Sequence, residues 1–129
     1  VQQASGYFIA GSVKVTYCSG HLLENEKPDE VDPRMAAWTL DNLPYIPTAW
    51  RMRPRSMKDD AGRDVKKNGK VVLDERVVKQ LETIRHLLSQ ATEVVHAGDA
   101  DREGQLIVDE VLEHLGNRKP VKRVWLQEL

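Results

Sequence analysis

Between Glu75 and Leu126 the spacing of apolar residues switches period three times, and this succession constrains the fold more than any other feature. Val77, Val78, Leu81, Ile84, Leu87 and Leu88 recur at three- and four-residue steps, which predicts a one-sided amphipathic helix over 75–90 with Asp74 as its candidate N-cap. Thr92 to Ala97 is a β-prone run that stops at Gly98 and reads as a short buried strand. A second stripe, Leu106, Ile107, Val111, Leu112 and Leu115, predicts a helix from about Glu103 to Leu115 with Gly116 as its stop. Val121 to Leu126 is again β-prone and contains Trp125. Helix, strand, helix, strand in this order predicts an α/β fold with right-handed crossovers and a parallel sheet covered by helices.

Upstream the pattern is less regular. Tyr7–Ala10 and Val13–Cys18 are β-prone runs joined by Gly11-Ser12, a hairpin signature closed by Ser19-Gly20. The next thirty residues hold Pro28, Pro33, Pro44 and Pro47, with Trp38 and Trp50 among them. They read as an irregular connection with short helical turns, pinned by the aromatic residues. Asp60-Ala61-Gly62 and Asn68-Gly69 mark 58–70 as an exposed excursion.

Net charge is −1, but its distribution is uneven. Residues 51–70 carry eight Lys or Arg against three Asp, whereas 21–50 carry two basic and six acidic residues. Such asymmetry forms a phosphate-facing stripe or a solvated loop, and charge alone favours the second. At 129 residues, with 40% hydrophobic and 30% charged, the chain fits one globular domain. No apolar run is long enough to span a membrane. Val1-Gln2-Gln3 has no Met and no signal pattern, so the chain reads as a piece of something longer. The single cysteine, Cys18, excludes an internal disulfide framework and fits a reducing cytoplasm.

The candidate functional site is Asp99-Ala100-Asp101-Arg102-Glu103-Gly104, at the hand-over from strand to helix. Three carboxylates so close together repel unless some are protonated or a cation joins them. A hard, oxygen-seeking ion such as Mg²⁺ suits the set, completing its shell with water and substrate phosphate. Gly98 delivers Asp99 to the C-terminal edge of the sheet, where open α/β folds bind ligands. Alternation points Asp99 and Asp101 the same way, and the helix N-terminus favours a phosphate nearby. Two other readings stay open. Asp101 caps the helix while the other acids are solvated. Alternatively the run is a calcium loop ending at Glu110, although Glu103 stands where Asp or Asn is expected and a strand precedes it.

Gly98-Asp99-Ala100-Asp101-Arg102-Glu103-Gly104-Gln105 resembles the DxDxEG motif of the toprim domain, in the form carried by bacterial type IA topoisomerases of the topoisomerase III kind. Ser19-Gly20-His21-Leu22-Leu23-Glu24, Leu43-Pro44-Tyr45-Ile46-Pro47 with Trp50, and Arg123-Val124-Trp125-Leu126 resemble that family in the same order. The resemblance implies a Rossmann-like parallel sheet flanked by helices, lacking the domain's first strand and helix. It makes 1–129 a partial toprim domain with a basic excursion at about 51–73. It further implies that Asp99, Asp101 and Glu103 bind Mg²⁺ beside a scissile phosphate and that Arg102 is a candidate phosphate contact, with an outward salt bridge as the alternative. The implied reaction is transient cleavage and religation of single-stranded DNA through a 5′-phosphotyrosine.

Two parts of the family pattern are missing. Nothing before Tyr7 matches the Glu-Lys-Pro-Ser-like segment that carries the general acid or base, and Glu24 does not replace it. The nucleophilic tyrosine belongs to a later domain, so the chain alone is expected to be inactive. Its partners are then DNA and the remaining domains, with no membrane and no small-molecule cofactor, in the bacterial cytoplasm at the nucleoid. A toprim nuclease or primase fragment, and a non-catalytic nucleic-acid-binding module resting on 51–70, are the alternatives.

The other chemistry-bearing residues read as structural. Tyr7, Tyr17 and Tyr45 pack, and Cys18 is a small core residue. His21 makes a structural hydrogen bond, His96 is a satisfied core residue, and His86 and His114 lie on helix surfaces.

Overall fold

The structure, a computed structural model, describes residues 2–4 and 6–125. Its elements run β1 (Gln2–Ala4), β2 (Tyr7–Ala10), β3 (Val13–Thr16), β4 (Leu23–Asn25), α1 (Pro28–Val31), β5 (Met52–Pro54), β6 (Lys66–Lys67), β7 (Lys70–Val71), α2 (Glu75–Gln90), β8 (Val94–His96), α3 (Arg102–His114) and β9 (Val121–Arg123), with 3₁₀ turns at Pro33–Ala36 and Leu40–Asn42. They form two compact units, residues 1–22 with 75–129 and residues 23–74. None of the described helices is long and apolar enough to cross a membrane.

In the first unit β1, β2 and β3 form an antiparallel meander, with Gln2 opposite Ile9 and Ala10 opposite Val13 across the Gly11-Ser12 turn. β1 has no counterpart in the sequence reading, because Gln2-Gln3-Ala4 carries no β-branched or aromatic residue. The meander is tied to α2 by a polar residue. Gln80 is buried, and its amide donates to Thr16 Oγ1 at 3.0 Å and to the Tyr17 carbonyl at 2.8 Å. Around it Val77, Leu81, Ile84 and Leu87 make the buried stripe expected of this helix. Asp74, the expected cap, is buried immediately before it.

The second half of this unit is the α/β part. β8 and β9 pair in parallel, with Val94 opposite Val121 and His96 opposite Arg123, and α3 connects them. Strand and helix thus fall where the periodicity put them, although the expected last strand ends at Arg123, and Leu126 lies outside the described residues. α3 closes with Gly116 N donating to Glu113 O and Asn117 N to Leu112 O, both at 2.9 Å, which satisfies its last carbonyls. One inward assignment is wrong. Leu106 is 49% exposed, because Gly104 and Val111 define the buried side of α3 and Leu106 lies well round the helix from both.

In the second unit β4 and β5 are antiparallel, with Glu24 opposite Arg53. The expected irregular connection does contain short helical turns. Its expected aromatic pins do not hold it, since Trp38 and Trp50 are 69% and 73% exposed. Among the described residues of this unit Leu23 and Met35 are the buried apolar ones, and ion pairs join the rest. The 58–70 excursion contains a small β6–β7 hairpin. Its turn is Asn68-Gly69, with φ of +52° and +75°, the pair of left-handed residues a two-residue hairpin favours.

Candidate metal centre

The acidic run is shaped by backbone rather than by side chains. A Cβ at position 104 would stand 2.5 Å from the Asp99 carbonyl oxygen, and one at 98 would stand 2.6 Å from the Gly104 carbonyl oxygen. Only glycine at both places lets the two ends of the loop close on each other. His96, at the end of β8, is 1% exposed and holds the loop's start, its Nδ1 accepting from Gly98 N at 3.2 Å while Nε2 lies 3.4 Å from the Gln105 carbonyl. This is the satisfied core histidine expected from sequence.

The carboxylates that hang from this loop have different fates. Asp101 caps α3: its Oδ1 accepts from Gly104 N at 2.6 Å, in extended backbone at φ −137°. Asp99 is exposed, and its side chain has no hydrogen bond or ion pair among the described residues. Glu103 is exposed in the first turn of α3, 3.7 Å from His21 Nε2, and His21 Nδ1 lies 3.1 Å from Glu110. His21 therefore makes the structural contact expected of it, to a helix it spans by two turns. Arg102 is exposed, forms no ion pair among the described residues, and borders an open groove of about 460 Å³ with Leu106 and Trp125.

Among the described residues, no three His, Cys, Asp or Glu side chains stand together closely enough to hold a metal ion. The chemistry of the donors nevertheless fits a hard cation: all are carboxylate oxygens, and Asp99 is not engaged by a protein cation. The helix cap engages one carboxylate oxygen of Asp101 and leaves the other without a hydrogen bond among the described residues.

Sequence reading missed Arg123. Its Nη1 donates to the carbonyls of Gly98 at 2.8 Å, His96 at 3.1 Å and Val124 at 2.7 Å, its Nη2 to that of Asp99 at 2.8 Å, and its Nε to Gln105 Oε1 at 2.9 Å. The Trp125 ring centroid is 4.8 Å from the guanidinium carbon. In the sequence Arg123 stands in a β-prone run and in the Arg123-Val124-Trp125-Leu126 segment, and neither ties it to the acidic loop.

The carboxylates of residues 23–74 behave in the opposite way. Arg53 forks onto Glu30 at 2.6 and 3.0 Å and reaches Glu24 at 2.6 Å. Glu24 also accepts from Ser56 N at 2.9 Å and meets Lys58 at 3.2 Å. Asp64 contacts Lys27 at 2.5 Å, and Lys58 as well. Burial works against the charge on Glu24, but hydrogen bonds from Ser56, Arg53 and Lys58 outweigh it and lower the pKa to about 2. Asp64 is driven far down too, with Lys27, Lys58 and Ser56 overcoming its burial. Glu24 is thus held ionised at neutral pH. Lys66 pairs with Asp29 at 2.8 Å and Arg63 with Asp59 at 3.0 Å. Four of the eight basic residues of 51–70 are in this way spent on the chain's own acids.

The remaining expectations divide. Tyr7 is half-buried on β2, whereas Tyr17 is half exposed and contributes its carbonyl to Gln80 more than its ring to a core. Tyr45 is half-buried, and His86 and His114 are exposed on their helices. Cys18 is partly buried, and burial pushes its thiol pKa up.

The toprim domain family model matches residues 1–129, and the chain belongs to that family. It is 39% identical to DNA topoisomerase 3 of Salmonella typhimurium over 99% of this chain and 18% of that protein. It is 40% identical to DNA topoisomerase 3 of Haemophilus influenzae over 88% of this chain and 15% of that protein. The Staphylococcus aureus (strain USA300) protein of the same name is 30% identical over 99% of this chain and 16% of its own length. The chain thus spans less than a fifth of the curated relatives it matches.

Proposed function

We propose that this chain is the toprim portion of a type IA DNA topoisomerase of the topoisomerase III kind, and that Asp99, Asp101 and Glu103 bind Mg²⁺ where the scissile phosphate sits. The observation that carries the reading is the continuous match of nearly the whole chain to one segment of several DNA topoisomerase 3 proteins. The strand-to-helix position of the acids and the parallel β8–β9 pair support it, as part of a larger Rossmann-like sheet in a partial toprim domain with an excursion at about 51–73.

Bound Mg²⁺ would neutralise charge on the phosphodiester during transesterification. The chain's own residues orient the reacting phosphate. Asp99 presents an unengaged carboxylate and Glu103 an exposed one, Arg102 opens α3 and contacts a neighbouring phosphate, and the helix N-terminus adds backbone donors. The tyrosine nucleophile and the general acid come from elsewhere in the whole protein, which acts on single-stranded DNA in the bacterial cytoplasm at the nucleoid. The chain by itself has no activity.

The test is a chimera in which this chain replaces the matching segment of the Salmonella protein. It should relax negatively supercoiled DNA in a Mg²⁺-dependent way, and Asp99→Ala with Asp101→Ala should abolish relaxation. A chimera without activity, or a double variant with normal activity, overturns the assignment.

A further inference from the structure

We propose that Arg123 is the positioning residue of the acidic loop: from the end of β9 its guanidinium holds the backbone that carries Asp99 and Asp101 in the shape that presents their carboxylates. The inference rests on the metal reading above and names the part of the chain that pre-forms the site.

The carbonyls of His96, Gly98 and Asp99 all point at one guanidinium, at 2.8 to 3.1 Å. These are the residues that lead from β8 into the acidic run. The Nε arm holds Gln105, which is in α3, so one side chain ties both sides of the loop. Arginine is suited to this because its planar fork carries five N–H donors in fixed directions. The Trp125 ring lies 4.8 Å from the same guanidinium and restricts its movement.

What Arg123 avoids is equally informative. It makes no ion pair with Asp99, Asp101 or Glu103, although it donates to the carbonyl of Asp99 itself. A guanidinium paired with those carboxylates would compete with a cation for them. Spent on carbonyls, it fixes the loop and leaves the anionic oxygens free. The strand pair does not need this side chain, since Val94 N to Pro120 O at 2.8 Å and Val124 N to His96 O at 2.9 Å join β8 to β9 through backbone. Groups that orient metal ligands from behind typically change metal affinity about 10- to 100-fold when removed.

The experiment titrates the 129-residue chain with Mg²⁺ and follows backbone amide shifts in the wild type, Arg123→Ala, Arg123→Lys and Gln105→Ala. Amides 98–105 of the wild type should shift, and Arg123→Ala should weaken that response about tenfold or more, with Arg123→Lys close behind. Gln105→Ala, which keeps the carbonyl contacts, should weaken it less and guards against a poorly folded Arg123→Ala. Free guanidinium ion, far below denaturing concentration, should restore Arg123→Ala and not Asp99→Ala. Wild-type affinity in both Arg123 variants overturns the proposal, as does a loss fully accounted for by the fraction unfolded. Without metal, hydrogen exchange at 97–101 should accelerate in Arg123→Ala while α2 stays protected, and unchanged exchange overturns the clamp. If the wild type shows no shift at 98–105, the metal reading falls, while the exchange measurement still decides whether Arg123 holds the loop.

Discussion

Glu24, Glu30 and Asp64 in one unit and Asp99, Asp101 and Glu103 in the other are two sets of three carboxylates treated in opposite ways. The first set is enclosed by Arg53, Lys27 and Lys58, with hydrogen bonds added from Ser56. In the second, Asp101 caps a helix, the Asp99 carboxylate has no partner among the described residues, and Glu103 has a histidine at 3.7 Å. Acids matched by the chain's own cations are structure, and the unmatched ones are available to a ligand. Counting charges along the sequence cannot separate the two kinds, because the matching residues lie far away in the chain.

The sharpest way to break this contrast is Arg53→Ala. Arg53 is 11% exposed, and its loss takes the guanidinium from Glu30 and one of two cations from Glu24, so residues 23–74 should be destabilised by about 3 kcal/mol in denaturant melts. A cost below about 1 kcal/mol would rank these pairs with ordinary surface contacts. Acid is the next lever. Glu24 titrates near 2 in the fold against an ordinary 4.5, so its contribution is complete above the ordinary value and is lost as pH falls from there towards 2. That contribution is about 3 kcal/mol at most. Glu24→Gln should flatten the acid limb of a stability-against-pH curve, and an unchanged limb would remove Glu24 from the account.

The smallest stability effects fall in the acidic loop and sharpen the contrast most. Asp101→Ala should cost about 1 kcal/mol through the lost cap. Asp99→Asn should change stability by less than about 0.5 kcal/mol while weakening the Mg²⁺ response of amides 98–105. Were Asp99→Asn as destabilising as Arg53→Ala, Asp99 would be a structural acid like Glu24.

Where a property repeats along the chain, it was readable in advance. α2 covers 75–90 as its stripe demanded, and the β8–α3–β9 order follows from the alternation of periods. The acidic run was visible because its residues are adjacent, and its setting between strand and helix was correct. The β6–β7 hairpin was missed although Asn68-Gly69 is a strong turn signal, because the flanking Lys-Lys and Lys-Val show no alternation of apolar and polar residues. For Trp38 and Trp50 an anchoring role rests on residue type alone, and type does not specify burial. The pairing of Arg53 with Glu24 and Glu30 spans more than twenty residues, as does the reach of Arg123 to Gly98 and Asp99. Local pattern carries no trace of either.

The position of Arg123 has a consequence for the order in which the molecule is made. A nascent chain that has emerged only as far as Gly116 already carries all three acids of the run, yet lacks β9 and the guanidinium that closes on the Gly98 and Asp99 carbonyls. Ribosomal synthesis proceeds from the N-terminus, so the loop is complete in composition well before it is complete in shape. The shape of the acidic loop is therefore fixed only once β9 has emerged and Arg123 can close on its carbonyls.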